Sequence, residues 1–507
     1  MLQQASLSDL IDARAEQTPD ALLAVDEEMR TITFGEYAEE VDRAAAGFVA
    51  LGLCADDVVS WQLPTWIESL VLVGALSRIG AIQNPMLPIY REREVGFITN
   101  QAHSKLLIVP GQWRGFDFEQ MARTIASEHG AMDVLVASRA LPQGDLSDVD
   151  RTVDHDSDAV RWLFYTSGTT ADPKGARHSD ASIAAVAAAM GQRLAVSERD
   201  RSALVFPFTH IGGITWLFTA LQTGCSLILM EAFHPTETAE VLSREHVTLA
   251  GSGTPFHMAY LAAQRASATL IFPEVRGFPG GGAPKPPQLV TDIRSTFDAP
   301  VLSGYGLTEA PILTMAAMSD SDDELARSEG KPMPGVEIRL VRPDGEPALP
   351  GEDGEIRAKA PQLMKGYLDA TLDADAFDAD GYFRTGDLGR FDDEGNLIIT
   401  GRLKDIIIRK GENISAKELE DMLFTHPEIA DVAVIGLPDP NSGERACAVV
   451  QLAPEVSTMT LSDVTGFLLE NGLMKQKLPE QLELVDQLPR NPSGKVLKHQ
   501  LRDQYSD

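Results

Sequence analysis

The chain has 507 residues, so two to four domains of roughly 100–200 residues each are expected. With 44% hydrophobic and 23% charged residues it is neither wholly disordered nor a fibrous repeat. Its 75 acidic against 43 basic residues give a net charge of −32, the wrong sign for a nucleic-acid sheath and the sign of a solubilising acidic surface.

The N-terminus has no basic stretch leading into an apolar run, so no secretory leader is expected. Cys54, Cys225 and Cys447 lie far apart without a CxxC pair. That argues against a disulfide framework or a zinc site and suits a reducing, cytoplasmic setting. Phe34 to Leu51 reads as a helix, Val58 to Leu63 as a strand, and Trp66 to Ile79 as a helix. Arg91 to Gln101 reads as a further helix and Leu106 to Val109 as a short buried strand. This alternation, continued through residues 180–300, predicts an α/β fold with a largely parallel, doubly wound sheet.

From Ile211 to Met230 there is no Asp, Glu, Lys or Arg. A transmembrane helix needs about 20 mainly apolar residues. Gly212, Gly213, Gln222, Thr223 and Gly224 interrupt this run, so it reads as a buried helix to Leu221, a turn, and a buried strand from Leu227 to Met230. No integral membrane segment is expected.

Beyond residue 335 the pattern changes. Val336 to Val341 and Gly354 to Ala358 read as strands separated by Asp-Gly and Pro-Gly turns, a β-rich subdomain over about 335–400. In the last hundred residues Ser415-Ala-Lys-Glu418 reads as a capping box, opening a helix with Leu419, Met422 and Leu423 on one face. Strands are expected over Asp431 to Leu437, Ala446 to Leu452 and Leu482 to Val485, with a helix capped by Ser462 running through Leu469. The expected division is 1–402 and 403–507, the second part being an α+β unit joined near Arg402 to Asp405.

Several short segments carry chemistry. Tyr165-Thr-Ser-Gly-Thr-Thr-Ala-Asp-Pro-Lys-Gly175 follows a strand at Trp162 to Phe164. The hydroxyls of Thr166, Ser167, Thr169 and Thr170 can donate to phosphate oxygens, Gly168 frees the backbone to close on an anion, and Lys174 adds a point charge. The spacing is not that of the G-x-x-x-x-G-K-[ST] loop, and composition alone equally suits a polar surface turn. Gly280-Gly-Gly-Ala-Pro284 is a run where only backbone lines the surface, open to a planar ligand or to a tight turn. Gly304-Tyr-Gly-Leu-Thr-Glu309 offers an aromatic face, a hydroxyl and a carboxylate, which suit a base, a phosphate and Mg²⁺. Asp387, in Tyr382-Phe-Arg-Thr-Gly-Asp387, can accept from two ribose hydroxyls or be a solvated turn residue. Lys495, in Asn491-Pro-Ser-Gly-Lys495, is by itself a surface lysine.

The order and spacing of these segments, from about Leu7 to Lys498, resemble the adenylate-forming superfamily of acyl-CoA synthetases, peptide-synthetase adenylation domains and luciferases. The resemblance implies an enzyme that joins a carboxylic acid to ATP as an acyl adenylate, releases pyrophosphate, and then swings a mobile C-terminal domain so that a thiol displaces AMP. It implies ATP, Mg²⁺ and CoA as reactants. Thr166 to Thr170 with Lys174 would hold the β- and γ-phosphates. Gly281, Gly282, Ala283, Gly304, Tyr305 and Gly306 would line the adenine site, and Thr308 would touch the α-phosphate. Glu309 would hold Mg²⁺, Asp387 with Arg402 the ribose, and Lys404 the hinge. Lys495 would serve adenylation, and Lys410 and Gly411 would line the thiol tunnel.

Phe206-Pro-Phe-Thr-His210-Ile-Gly-Gly-Ile-Thr215-Trp216 resembles the wall of the acyl site, with His210 either a gate beside the carboxylate or a hydrogen-bonded core histidine. Ile211, Gly212, Thr215, Trp216, Gly253, Thr254 and Gly280 complete the expected pocket, Gly212 and Gly213 leaving room for a bulky acid. No Asp or Lys waits there for an amino group, so an apolar acid is expected. The stretches Gln62 to Trp66 and Asn84 to Arg93 resemble ligases of cyclic or medium-chain acids. A carrier protein is the alternative acceptor, and a non-catalytic nucleotide- or acyl-binding protein is the reading from another class; both monomer and homodimer stay open. Two departures stand out. Ser415-Ala416 replaces the family's usual proline, and Ala176-Arg-His178 replaces a common Thr-His pair, which leaves His178 without an assigned role.

Overall fold

The computed structural model describes residues 5–130, 132–145, 156–166, 173–282, 285–409, 412–440, 442–490 and 495–506. Apolar residues over Val58–Trp61, Ile82–Pro85, Leu106–Val109 and Asp133–Val136 form parallel neighbours in a six-stranded sheet. Val160–Thr166 joins this sheet in parallel through Ile82–Pro85, and Lys174–Ser179 pairs antiparallel with it to form the edge hairpin. A second layer runs Thr31–Thr33, Leu22–Asp26, Ser226–Leu229, Arg201–Leu204. Leu249 extends it by single parallel bridges to Ser202 and Gly277, leading into Phe278–Gly281, Val301–Tyr305, Thr314–Met315 and Lys331–Pro332.

One core cluster draws on both layers and on the helices connecting them, from Val59 and Trp162 to Tyr37, Leu72, Ile183, Phe218 and Leu227. The helix Ile67–Arg78 is buried at every position except Glu68. The helix Ile211–Thr223 is buried from Gly213 through Leu221. A helix covered on all sides needs no polar face. That accounts for the uncharged run better than a membrane span does, and no helix among the described residues is long and apolar enough to cross a membrane.

Glu337–Val341, Gly354–Lys359, Phe383–Phe391 and Leu397–Arg402 form an antiparallel four-stranded sheet. After it come Ile406–Arg409, Glu412–Ser415, Ile429–Asp439, Gly443–Leu452 and Gln481–Leu484 in a further sheet. Ile429–Asp439 is apolar on both faces for a reason: Val432 and Val434 enter one core with Leu419 and Leu468, while Ala433, Ile435 and Leu437 enter another with Leu501. Two expected caps are corrected. Ser415 Oγ accepts from the Glu418 N–H, but the Glu418 carboxylate turns to Lys477 at 2.6 Å, so the box is half made. The next helix spans Leu461–Glu470 and is capped by Thr460, not Ser462, because Thr460 and Asp463 make the reciprocal pair.

Candidate active site

Parallel strands of the second layer end together, and the loops leaving those carboxyl ends are where an open α/β sheet receives ligands. Phe278–Gly281 pairs in register with Val301–Tyr305, placing Gly281 opposite Gly304. A Cβ on Gly281 would meet the Gly304 oxygen at 2.4 Å, and one on Gly280 would lie 2.3 Å from the Gly253 nitrogen. The three loops therefore touch backbone to backbone, which only glycine permits. Val301–Tyr305 continues into Thr308 and Glu309, and carries the Tyr305 phenol into the site.

Asp387 and Arg402 are cross-strand partners in the antiparallel sheet. The Arg402 Nε–H donates to Asp387 Oδ1 at 2.9 Å, and the Tyr305 hydroxyl donates to Oδ2 at 2.8 Å. Asp387 is only 4% exposed, so both carboxylate oxygens are committed while the carboxylate is nearly out of water.

Lys495 is near enough to feel the charges of this pair. Burial, then the Arg402 and Lys404 charges, pull its ammonium down to about 8, while Asp387 and Asp405 act in the opposite sense. Lys404 is lowered for the same reasons, burial first and Arg402 next. Asp405 is held low despite burial by Lys498, Arg502 and Arg402, and Arg502 pairs with it at 2.7 Å. An excess of cations thus converges on one spot of a chain whose net charge is −32. Such a focus of positive charge stabilises an incoming polyphosphate. Ser415 Oγ, donating to the Thr400 carbonyl at 2.7 Å, fastens the last sheet to the one before it.

Glu309 is 9% exposed, and its Oε1 accepts from the Tyr367 hydroxyl at 2.8 Å. Burial and the Glu309 charge push the Tyr367 phenol well above its ordinary range, so it stays a donor. The Lys174 ammonium lies 5.5 Å from the centre of the Tyr367 ring. No group of three metal-binding side chains occurs among the described residues. Mg²⁺ commonly uses one or two carboxylates together with substrate phosphates; Glu309 between the Lys174 hairpin and the Asp387 cluster fits that pattern. His178, left without a role by the sequence, is fully buried. Its Nε2 lies 2.8 Å from the Thr308 carbonyl oxygen and its Nδ1 3.1 Å from Ser182 Oγ. Burial pulls it down to about 4, so it is neutral and donates through Nε2. Ser167, Gly168, Thr169, Thr170, Ala283, Lys410 and Gly411 lie outside the described residues, as does 491–494 of the Lys495 segment.

His210 caps the helix Ile211–Thr223, its Nδ1 accepting from the Gly212 N–H at 3.1 Å. Its ring meets Phe206 edge to face, with centroids 6.1 Å apart. Burial pulls it down to about 4, which leaves a neutral imidazole. Thr215 and Trp216 are 1% and 7% exposed, and Thr215 donates to the Ile211 carbonyl at 2.9 Å. One expectation changes: Gly213 offers no room, because a Cβ there would lie 2.5 Å from the Phe208 carbonyl oxygen, whereas Gly212 meets only the His210 and Phe206 rings. Tyr367, Asp405 and Arg502 escaped the sequence reading. No periodicity marks them, since their partners lie 58, 97 and 97 residues away.

Asp387 and Arg402, cross-strand partners in the antiparallel sheet, meet Tyr305 from the carboxyl end of the parallel strands, and comparison with known proteins shows which class of enzyme the chain belongs to. The chain belongs to the AMP-binding enzyme family, whose model matches residues 11–368, with the AMP-binding enzyme C-terminal domain at 418–495. It is 30% identical over 512 residues to the medium-chain fatty-acid–CoA ligase of Escherichia coli K12, covering 98% of this chain and 90% of that one. It is 31% identical over 516 residues to the salicyl-AMP ligase / salicyl-S-ArCP synthetase of Mycobacterium tuberculosis, covering 97% and 89%. Its fold is similar to O-succinylbenzoate coenzyme A synthetase of Bacillus subtilis in complex with ATP and magnesium ion, with TM-score 0.84 and 28% identity over 98% and 99% of the chains. The chain is an ATP-dependent, AMP-forming ligase of the adenylate-forming superfamily.

Proposed function

We propose that the chain activates an apolar carboxylic acid as its acyl adenylate and passes the acyl group to the thiol of CoA. The observation that supports the reading is the cluster around Asp387: its carboxylate pairs with Arg402 at 2.9 Å and accepts from Tyr305 at 2.8 Å, and the buried Lys495 ammonium feels the charges of Arg402, Lys404 and Asp387. A carboxylate oxygen attacks the α-phosphorus of ATP, a new P–O bond forms, and the bond to the pyrophosphate oxygen breaks. Charge builds on the non-bridging oxygens, and fixed cations lower that barrier. Lys495 and Arg402 supply that charge, Lys174 orients the outer phosphates, and Asp387 accepts from the ribose. Glu309 would hold Mg²⁺, which neutralises phosphate charge when bound. Lys404 stands at the joint about which the second domain, residues 403–507, turns away from residues 1–402. A thiol then attacks the acyl carbonyl, AMP leaves, and the thiol proton passes to solvent.

Support for an apolar acid comes from the neutral His210 and from Phe206 and Gly212 beside it, with no charged side chain in that segment. The E. coli relative's medium-chain fatty acid agrees with this. A second reading, loading of a carrier protein, is favoured by the salicyl-S-ArCP relative. Pyrophosphate release with ATP, Mg²⁺ and a panel of aliphatic, cyclic, aryl and amino acids, with and without CoA, separates the readings. CoA-dependent turnover of one apolar class is expected; adenylate formation without CoA turnover would favour the carrier, and no release would refute both.

A further inference from the structure

The strap Met364 to Leu368 ties two parts of the site together. On one side it is bonded to the hairpin strand Lys174–Ser179: the Leu368 N–H donates to the Gly175 carbonyl at 2.7 Å, the Lys365 N–H to the Arg177 carbonyl at 2.7 Å, and the Arg177 N–H to the Gly366 carbonyl at 3.0 Å. On the other side it holds Glu309 twice. The Met364 N–H donates to the Glu309 carbonyl at 2.9 Å, and the Tyr367 hydroxyl donates to Oε1 at 2.8 Å. Tyr367 is itself fixed, 4% exposed, with its N–H on Asp373 Oδ1 at 2.8 Å. Its ring also underlies the Lys174 ammonium at 5.5 Å.

We propose that Tyr367 is a positioning residue that fixes the Glu309 carboxylate for the divalent cation and keeps it in register with Lys174 on the phosphate hairpin. The inference rests on the metal-holding reading of Glu309. A carboxylate with two free torsions beyond Cβ samples several orientations, and ordering it at the moment of binding weakens the site. A hydroxyl donating to a charged oxygen removes that freedom beforehand and holds one oxygen, leaving the other for the cation. The phenol does this from the same strap that carries the hairpin, so the carboxylate and Lys174 cannot drift apart without breaking the main-chain bridges. Replacing Tyr367 by Phe deletes only the hydroxyl and keeps the ring under Lys174.

The test uses the full chain with Mn²⁺ as the probe and a non-hydrolysable ATP analogue, bound metal being read by electron paramagnetic resonance. Tyr367→Phe is expected to weaken Mn²⁺ binding about tenfold, the scale of one hydrogen bond to a charged group. Binding of the analogue without metal should be unchanged. In a Glu309→Gln background the same change should have no further effect. Equal Mn²⁺ affinity in Tyr367→Phe and the parent would overturn the inference. So would an undiminished effect in the Glu309→Gln background, or a Tyr367→Phe protein that does not fold, since either assigns the hydroxyl another task. Should Glu309→Gln alone leave Mn²⁺ binding intact, the metal role of Glu309 fails first, and the two failures are told apart.

Discussion

The Lys495 ammonium, pulled down to about 8 by burial and by Arg402 and Lys404, makes adenylation sensitive to mild alkali. For ATP, kcat/KM reports the protonation of the enzyme before ATP binds. With an ionisation near 8, about nine-tenths of the lysine is charged at pH 7 and slightly under one-tenth at pH 9, so kcat/KM should fall roughly tenfold across that interval. The assay is acid-dependent ATP–pyrophosphate exchange at subsaturating ATP. Lys495→Arg keeps its charge throughout this range, so its profile should be flat however low its absolute rate. Lys404→Met removes a neighbouring cation and should move the fall to higher pH, because a like charge disfavours the protonated form. A parent profile flat to pH 10 would show that no lysine with a lowered ionisation governs ATP capture. A fall that persists unchanged in Lys495→Arg would refute it as well, by assigning the ionisation to another group.

Asp387→Asn should keep the Tyr305 contact but leave the half-buried Arg402 unneutralised, and so lower the urea midpoint; pyrophosphate exchange should fall at least about 100-fold. Acid should destabilise the fold through its buried histidines. His178 and His257 are pulled down to about 4 and about 3, so below pH 6.5 the unfolded chain binds more protons and stability is lost as pH falls towards those values. His178 alone accounts for about 3 kcal/mol by pH 4, and His178→Gln should flatten that part of the urea-midpoint profile. Gly213→Ala should lower the thermal midpoint by forcing a Cβ onto the Phe208 backbone, whereas Gly212→Ala should leave it nearly unchanged and shift selectivity among acids. Equal midpoints for the two variants would contradict this division.

What the sequence made legible was local. The helix Phe34–Ala50 and the strand Leu106–Val109 follow from period and turn residues, and the first stops one residue short of expectation. Caps were less secure, because Ser415 and Ser462 compete with partners that only the tertiary structure supplies: Lys477 draws Glu418 away, and Thr460 finds Asp463. Asp387 and Arg402 were legible from motif order, but their pairing is a cross-strand register that no spacing reveals. Tyr367 is invisible for the same reason; His178 stands in a motif that departs from the usual Thr-His pair, and its bond to the Thr308 carbonyl spans 130 residues. In the acyl wall, Gly213 lies on an apolar helix whose two faces look alike in sequence, so its packing against the Phe208 backbone is not legible there.

Lys495, under the charges of Asp387 and Arg402, is proposed to serve adenylation and not thioester formation. Lys495→Ala tests it when both half-reactions are timed separately: pyrophosphate exchange with acid and ATP, and CoA acylation from a preformed acyl adenylate. Exchange should fall by orders of magnitude while acylation from the adenylate persists near the parent rate. Exchange at the parent rate, or equal losses in both steps, would contradict the account.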